Sequence, residues 1–234
     1  MKAMILAAGR GERMRPLTDA VPKPMLEAGG KPLIVWMLEA LARAGVCDVV
    51  INTAHLGKVI EADIGDGSKQ GVRVMYSREA QALETAGGIR YALPLLGADP
   101  FIVVNGDIYT DYPLGELAAA ARRLCPEGPL AHLVLVPNPS HHPEGDFCLE
   151  QGVVSREGPQ TLTFSGMGAY HPALFGPVEH GSKARLAALL SPHMARGDVT
   201  GVAHQGLWTD VGTPARLAEL DGLLRSAEGS APSP

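Results

Sequence analysis

Cysteine is scarce in this chain, with three residues among 234. Cys47, Cys125 and Cys148 are widely spaced and odd in number, so the sequence supports no disulfide framework and contains no zinc-binding spacing. We interpret all three as buried structural thiols. Because a protein of this kind suits a reducing compartment, we expect a cytoplasmic location.

Long apolar runs and an excess of basic charge are also lacking. No stretch approaches the ~20 apolar residues of a membrane-spanning helix, and the N-terminus enters a strand pattern directly, so neither a span nor a secretory signal is expected. The formal net charge of −5 argues against a nucleic-acid or membrane-surface partner. No hexapeptide repeat is visible, so a left-handed helix of such repeats, with acetyltransferase activity, is not expected.

What the chain does contain is an alternation of apolar strand patterns and helical patterns, which predicts an α/β fold. At 234 residues it is long enough for one domain with a substantial core. We predict one domain over residues 1–225 in two halves, 1–112 and 113–225, sharing a mixed, mostly parallel sheet. The Gly/Ser/Pro-rich residues 226–234 are expected to be a disordered tail. The predicted strands are 1–7, 48–53, 72–77, 101–105, 131–136, 147–149, 161–170 and 201–208. The predicted helices are 32–44, 55–64, 87–96, 114–124, 183–190 and 213–225.

A glycine-rich turn follows the first strand. Gly9 and Gly11 lack Cβ atoms, so they can adopt positive φ and bring backbone N–H groups close to a phosphate. Arg13 and Lys23, the latter between two prolines, can neutralise a polyphosphate. The turn is neither a P-loop nor a dinucleotide fingerprint. For this turn alone, a plain strand–turn–helix connection with surface cations is an equally good interpretation.

Two aspartates follow predicted strands. Asp107 and Asp210 are carboxylates that suit Mg²⁺, a hard cation that takes oxygen ligands. Each aspartate could instead stabilise a local turn. Because ligands of open α/β sheets lie beyond the carboxyl ends of the strands, we expect the glycine turn, Asn105 and both aspartates to share one crevice.

Five ordered segments together resemble the signature of the sugar-1-phosphate nucleotidyltransferases. These segments are residues 6–14, 22–25, 83–88, 104–107 and 208–214. Within that family, residues 141–147 and 163–172 are similar to those of the N-acetylmuramate-1-phosphate uridylyltransferase subgroup of cell-wall (peptidoglycan) recycling. The resemblance covers roughly residues 1–225.

The resemblance implies a Rossmann-like, glycosyltransferase-A-like fold, with a nucleotide-binding half at 1–112 and a sugar-binding half at 113–225. It implies a Mg²⁺-dependent reaction in which a sugar 1-phosphate, here N-acetylmuramate 1-phosphate, attacks the α-phosphorus of UTP and pyrophosphate leaves. Arg13 and Lys23 would be catalytic, and Asp107 and Asp210 would bind the metal. The implied nucleotide-binding residues are Ala8, Gly9, Gly11, Glu12, Arg13, Lys23, Glu79, Thr85 and Gly88. The implied sugar-binding residues are Asn105, Asp146, Gly166 and Lys183.

Several alternatives stay open at this stage. The same reaction could use GTP with mannose or heptose 1-phosphate, or UTP or dTTP with glucose 1-phosphate. A non-catalytic subunit that binds a nucleotide sugar would also fit the fold, although such a protein should have lost Arg13, Lys23, Asp107 or Asp210. The roles of Glu84, where relatives usually have Gly, and of His141 and His142 are undetermined. The expected assembly is a monomer or a small homo-oligomer.

Overall fold

The computed structural model describes residues 1–229. Within this range the six α-helices, α1 to α6, span Leu33–Arg43, Gly57–Ile64, Glu84–Leu96, Leu114–Ala121, Leu186–Met194 and Pro214–Gly229. The strands of the same range, β1 to β13, span Lys2–Leu6, Glu27–Ala28, Lys31–Pro32, Asp48–Thr53, Arg73–Arg78, Phe101–Asn105, Ile108–Thr110, Ala131–Val136, Phe147–Glu150, Val153–Ser155, Thr161–Tyr170, Val199–Ala203 and Trp208–Asp210.

One mixed sheet of nine strands organises the molecule, in the order β5-β4-β1-β6-β11-β8-β12-β10-β9. Strands β5, β4, β1 and β6 are parallel, and β11 runs antiparallel to both β6 and β8. The sheet passes without a break from the first predicted half of the chain into the second. The α/β fold with a mixed, largely parallel sheet is therefore confirmed.

The core lies on both faces of this sheet. Ala3, Met4 and Ile5 of β1 are completely buried, as a continuous apolar run predicts for a strand covered on both sides. Side chains from alternate positions enter two separate apolar clusters, one against α1 and α4 and the other against α3 and α5. No helix of the described residues combines the length and hydropathy needed to cross a bilayer.

The order in which strands are added to the sheet reverses at β1. Strand β4 pairs with one edge of β1, and β6 pairs with the other, so Leu6 and Asn105 lie side by side at the carboxyl end. A crevice opens at such a switch point, where consecutive connections leave to opposite sides. This is where the glycine turn after β1 lies.

Three expectations, about a strand, the burial of the cysteines and the C-terminal tail, were wrong. Residues 201–208 do not form one strand that leads to Asp210, because β12 ends at Ala203 and a separate strand, β13, pairs with β7. Two of the cysteines, Cys47 and Cys125, are exposed, and of the three Cys148 alone is buried. The last helix continues to residue 229, so residues 226–229 are helical. The remainder of the predicted tail, 230–234, lies outside the described residues.

Candidate active site

The crevice consists of three connected cavities that meet at Asn105. The first has a volume of about 510 Å³ and is lined by the glycine turn, Lys23 and Asp107. The second, of about 280 Å³, lies between the start of α3, β11 and the start of α5. The third, of about 290 Å³, is lined by Arg13, by His141 and His142, and by Asp210. We call them the loop, sugar and carboxylate cavities. Asn105 lines all three, so the strand ends converge on one crevice as predicted.

Gly11 carries out the conformational role predicted for the turn. Its φ of 65° is left-handed, and a Cβ there would lie 3.2 Å from Cβ of Lys23 and 3.0 Å from Cγ2 of Thr18. The Thr18 hydroxyl donates to the Gly11 carbonyl at 2.8 Å, which fixes the turn. Gly9 is not in this region but borders the open loop cavity. The turn therefore packs directly against the stem of Lys23.

Lys23 and Asp107 form an ion pair at the floor of the loop cavity. The ammonium donates to Oδ2 of Asp107, and the side chains are 12% and 28% exposed, respectively. Because the pair is largely removed from water, its charges act in a lower effective dielectric than surface charges do. Arg13 and Glu12 line the same cavity from the short helical turn after Gly11. A cation and an acid are thus held together beside the turn.

A two-stranded sheet brings the second aspartate to the first. In the β7–β13 pair, Asp210 lies opposite Ile108, and the Val211 amide donates to the Asp107 carbonyl at 2.9 Å. The backbone therefore holds Asp107, in the turn before β7, beside the end of β13 that carries Asp210, although 103 positions separate the two in sequence. Their side chains border two adjoining cavities.

Arg216, which sequence reasoning missed, binds Asp210. Its Nη1 donates to Oδ1 of Asp210 at 2.5 Å and also contacts Nε2 of His141 at 2.5 Å. Gly212 makes this possible, because a Cβ at that position would lie 2.0 Å from Nη2 of Arg216. A glycine between an aspartate and an arginine one helical turn further on was the available signal. Asp210 is therefore charge-balanced by Arg216 and, when protonated, by His141.

The pair of carboxylates fits a magnesium ion. Mg²⁺ is typically held by one or two carboxylates and completes its shell with water and substrate phosphates. Within residues 1–229 no group of three or more His, Cys, Asp or Glu side chains has metal-binding proximity. Two aspartates beside the glycine turn suit a metal that also contacts a phosphate.

Glu79 lies in a buried network rather than on a cavity wall. It is 6% exposed, and its two oxygens accept from Nδ2 of Asn52 at 2.7 Å and from the Leu83 amide at 3.0 Å. Asn52 in turn accepts from the Ala7 amide at 2.8 Å. Burial raises the pKa of Glu79, and the two donated hydrogen bonds oppose that shift. The network joins the backbone before the glycine turn to the start of α3, so base contact by Glu79 stays a prediction.

Of the remaining predicted nucleotide-binding residues, one lies at a cavity wall and two lie in the protein interior. Thr85 lines the sugar cavity, whereas Ala8 is buried outside the linings of the three cavities. Gly88 faces the buried network, because a Cβ on it would lie 2.8 Å from Oε1 of Glu79. The contacts of these residues with a base stay predictions.

Three of the four predicted sugar residues meet in the sugar cavity, namely Asn105, Asp146 and Gly166. Asp146 is held by two contacts: Oδ2 accepts from the Phe164 amide at 2.8 Å, and Oδ1 lies 3.2 Å from Nε2 of His142. Lys183 is exposed and lies outside the linings of the three cavities. Instead, Arg185 and Glu84 border the sugar cavity.

Gly166 makes room for Asn105. The β11–β8 register shifts between Phe164 and Met167, and within this bulge Gly166 has a φ of 80°. A Cβ there would lie 2.5 Å from Nδ2 of Asn105. The bulge thus sets the position of the side chain at which the three cavities meet.

We expect Gly166→Ala to displace Asn105, to lower the free energy of unfolding by about 1–3 kcal/mol, and to lower kcat/KM for the sugar phosphate by about tenfold. Thermal unfolding and initial rates measure these effects. Gly152→Ala is the matched control, because Gly152 has a φ of 81° but nothing within 4 Å of its added Cβ. The Gly152→Ala variant should lose stability through a similar backbone strain and keep its activity. Equal loss of activity in both variants would contradict a specific role for the space beside Asn105.

Known proteins resemble this chain in sequence and in fold. The sequence model of the family "Nucleotidyl transferase" matches residues 2–145. The N-acetylmuramate alpha-1-phosphate uridylyltransferase of Neisseria meningitidis serogroup B is 54% identical, over 95% of this chain and 98% of its own. The mannose-1-phosphate guanylyltransferase catalytic subunit beta of Xenopus tropicalis is 32% identical over 92% of this chain, which spans 62% of that relative.

A solved structure shares the fold. A Bacillus anthracis protein described as a glucose-1-phosphate thymidylyltransferase, determined in complex with sucrose, superposes with a TM-score of 0.83. The alignment covers 96% of this chain and 95% of that one at 22% identity. The likeness supports the arrangement of strands and helices rather than a particular substrate.

Proposed function

We propose that this chain, which belongs to the nucleotidyl transferase family, transfers the uridylyl group of UTP to N-acetylmuramate 1-phosphate and releases pyrophosphate. The observation that carries the substrate assignment is the 54% identity to an N-acetylmuramate-1-phosphate uridylyltransferase over nearly the whole of both chains. The guanylyltransferase alternative is less favoured, since those relatives are about 32% identical and longer. The product, UDP-N-acetylmuramate, is consistent with peptidoglycan recycling in the cytoplasm.

The chemistry needs alignment and charge neutralisation more than a base. The attacking phosphate oxygen is already anionic near neutral pH, so no group has to remove a proton from it. The nucleophile and the leaving pyrophosphate must be held in line, and the charge at two adjacent phosphates must be offset.

The residues of the loop cavity support these tasks. The glycine turn offers backbone N–H groups to the triphosphate, and Arg13 lies where it can offset the charge of the leaving pyrophosphate. Lys23, which packs against Gly11 and pairs with Asp107, would contact the α-phosphate between the two substrates. Asp107 and Asp210 would hold Mg²⁺, which supplies positive charge to the phosphates. A non-catalytic subunit is disfavoured, because Arg13, Lys23 and both aspartates border the same crevice.

A substrate panel tests the assignment. UTP, GTP and dTTP are each combined with the 1-phosphates of N-acetylmuramate, mannose and glucose, and pyrophosphate release is measured with and without Mg²⁺. We expect UTP with N-acetylmuramate 1-phosphate to have a kcat/KM at least about tenfold above any other pair, and EDTA to stop turnover. A guanylyltransferase pattern, or activity that survives metal removal, would overturn the substrate or the metal proposal separately. Size-exclusion chromatography would decide between a monomer and a small homo-oligomer.

A further inference from the structure

We propose that Arg185 binds the lactyl carboxylate of the sugar substrate and so selects an acidic sugar; this inference rests on the proposed function. N-acetylmuramate differs from N-acetylglucosamine by an ether-linked lactyl group that carries one negative charge. Among the described residues that line the sugar cavity, Arg185 is the one cation, and Glu84 and Asp146 are the acids. The lactyl carboxylate of a bound substrate needs a cationic partner in this cavity, because placing it beside the carboxylates of Glu84 and Asp146 would otherwise be unfavourable.

The backbone fixes the place of Arg185 at the cavity wall. The Ala184 amide donates to the Leu83 carbonyl at 3.1 Å, and the Ala184 carbonyl accepts from the Ala86 amide at 2.9 Å. The segment before Arg185 thereby caps the first turn of α3. Gly87 permits this approach, because a Cβ there would lie 2.3 Å from the Ser182 carbonyl oxygen. Arg185 therefore projects from an anchored position although its side chain is exposed.

The guanidinium has a long ion-pair contact with Glu84 that leaves its hydrogen-bond donors available to an anion. Its Nε lies 4.0 Å from Oε1 of Glu84, which is beyond hydrogen-bond distance, and the two side chains are 80% and 48% exposed. Glu84 starts α3 with a φ of 61°, an uncommon left-handed conformation for a residue with a side chain. Backbone outliers of this kind cluster at binding sites. Here the outlier lies at the cavity wall beside the one cation.

The remaining wall suits the other parts of this sugar. Its apolar portion is formed by Phe147, Phe164, Leu186, Ala187 and Leu190, which offer contact surface for the methyl groups of the acetamido and lactyl substituents. Asn105 and Asp146 offer hydrogen-bond partners for the hydroxyl and amide groups. A cavity with an apolar wall, several polar groups and one cation among its described lining residues is complementary to an N-acetylated sugar acid.

The test compares two sugars and three proteins. Wild type, Arg185→Gln and Arg185→Lys are assayed with UTP and either N-acetylmuramate 1-phosphate or N-acetylglucosamine 1-phosphate, which lacks the lactyl group. We expect Arg185→Gln to lower kcat/KM for the muramate substrate by roughly 10- to 100-fold through KM, since the contact is remote from the reacting phosphorus. For N-acetylglucosamine 1-phosphate, kcat/KM should change by less than about twofold. Arg185→Lys should recover part of the loss, because it keeps the charge without the planar fork.

Arg122→Gln is the control, since Arg122 is an exposed arginine at the end of α4, away from the crevice. An equal loss with both sugars would overturn the inference, because it would assign Arg185 to the phosphate that both sugars share. An unchanged Arg185→Gln variant would overturn it too, while leaving the proposed function intact. Absence of wild-type turnover with the muramate substrate would instead remove the proposed function, and the inference with it.

Discussion

Asp107→Asn and Asp210→Asn are each expected to lower kcat by at least about 10³-fold while the protein still folds. Each change removes one negative charge from the pair of acids proposed to hold Mg²⁺. The fold should survive, because the β7–β13 pairing and the Val211–Asp107 hydrogen bond use backbone atoms that the substitutions leave in place. Pyrophosphate release over a range of Mg²⁺ concentrations, together with thermal unfolding, measures both effects.

Asp48→Asn is the matched control for these two variants. Asp48 lies at the opposite end of the sheet, at the start of β4, where it pairs with Arg73 at 2.7 Å. Loss of the negative charge of Asp48 should leave kcat unchanged. Full activity of either crevice variant would remove the metal assignment. If an Asp→Asn variant fails to fold, the corresponding Asp→Glu changes test the same position, because they keep the charge but shift the carboxylate oxygens. Those changes should fold and also lose activity if the position of the carboxylate matters.

Lys23→Ala is expected to lower kcat by about 10²- to 10³-fold, equivalent to about 3–4 kcal/mol of transition-state stabilisation. The ammonium is held beside Asp107 at the floor of the loop cavity, where charge must be offset as the bond to pyrophosphate breaks. Because this charge matters most in the transition state, kcat should fall more than the affinity for UTP. Single-turnover rates and equilibrium binding of UTP separate the two quantities.

Lys31→Ala provides the comparison for Lys23. Lys31 also forms a part-buried ion pair, with Glu39 at 2.5 Å, but lies outside the crevice. Both variants lose one such pair, so a similar change in thermal stability with a loss of activity in Lys23→Ala alone would support the catalytic role. A kcat within about threefold of wild type for Lys23→Ala would contradict it.

Much of the parallel half of the sheet could be predicted from sequence. Strands β4 and β6 have the predicted bounds, because each is a short apolar run that ends at a polar residue. The left-handed Gly11 and the Pro-flanked Lys23 were also predictable, since backbone conformations of this kind depend on the residue itself and its neighbours. Strands β8 and β11 also have the predicted bounds, whereas most other helix and strand ends differ by one to several residues, as tertiary contacts decided them.

The site residues that could not be predicted depend on partners distant in sequence. Glu79 is predicted to contact the nucleotide, and the structure places it in a buried network in which Asn52, 27 positions earlier, donates to it. Arg216 was missed because its contact with Asp210 requires the turn at Gly212. Lys183 is predicted from the family resemblance, whereas Arg185, two residues on, borders the sugar cavity through the capping of α3 by Ala184, which leaves no local trace in the sequence.

The sequence by itself determined the fold class, the left-handed glycine turn after β1 and the identity of the two acids, because these follow from local apolar patterns, glycine conformations and ordered motifs. Only the tertiary structure decided which groups meet. The β7–β13 pairing joins Asp107 to Asp210, the β11 bulge positions Asn105 beside Gly166, and the docking on α3 brings Arg185 to Glu84. The physical reason is that such contacts are set by the path of the whole chain, which no local preference encodes.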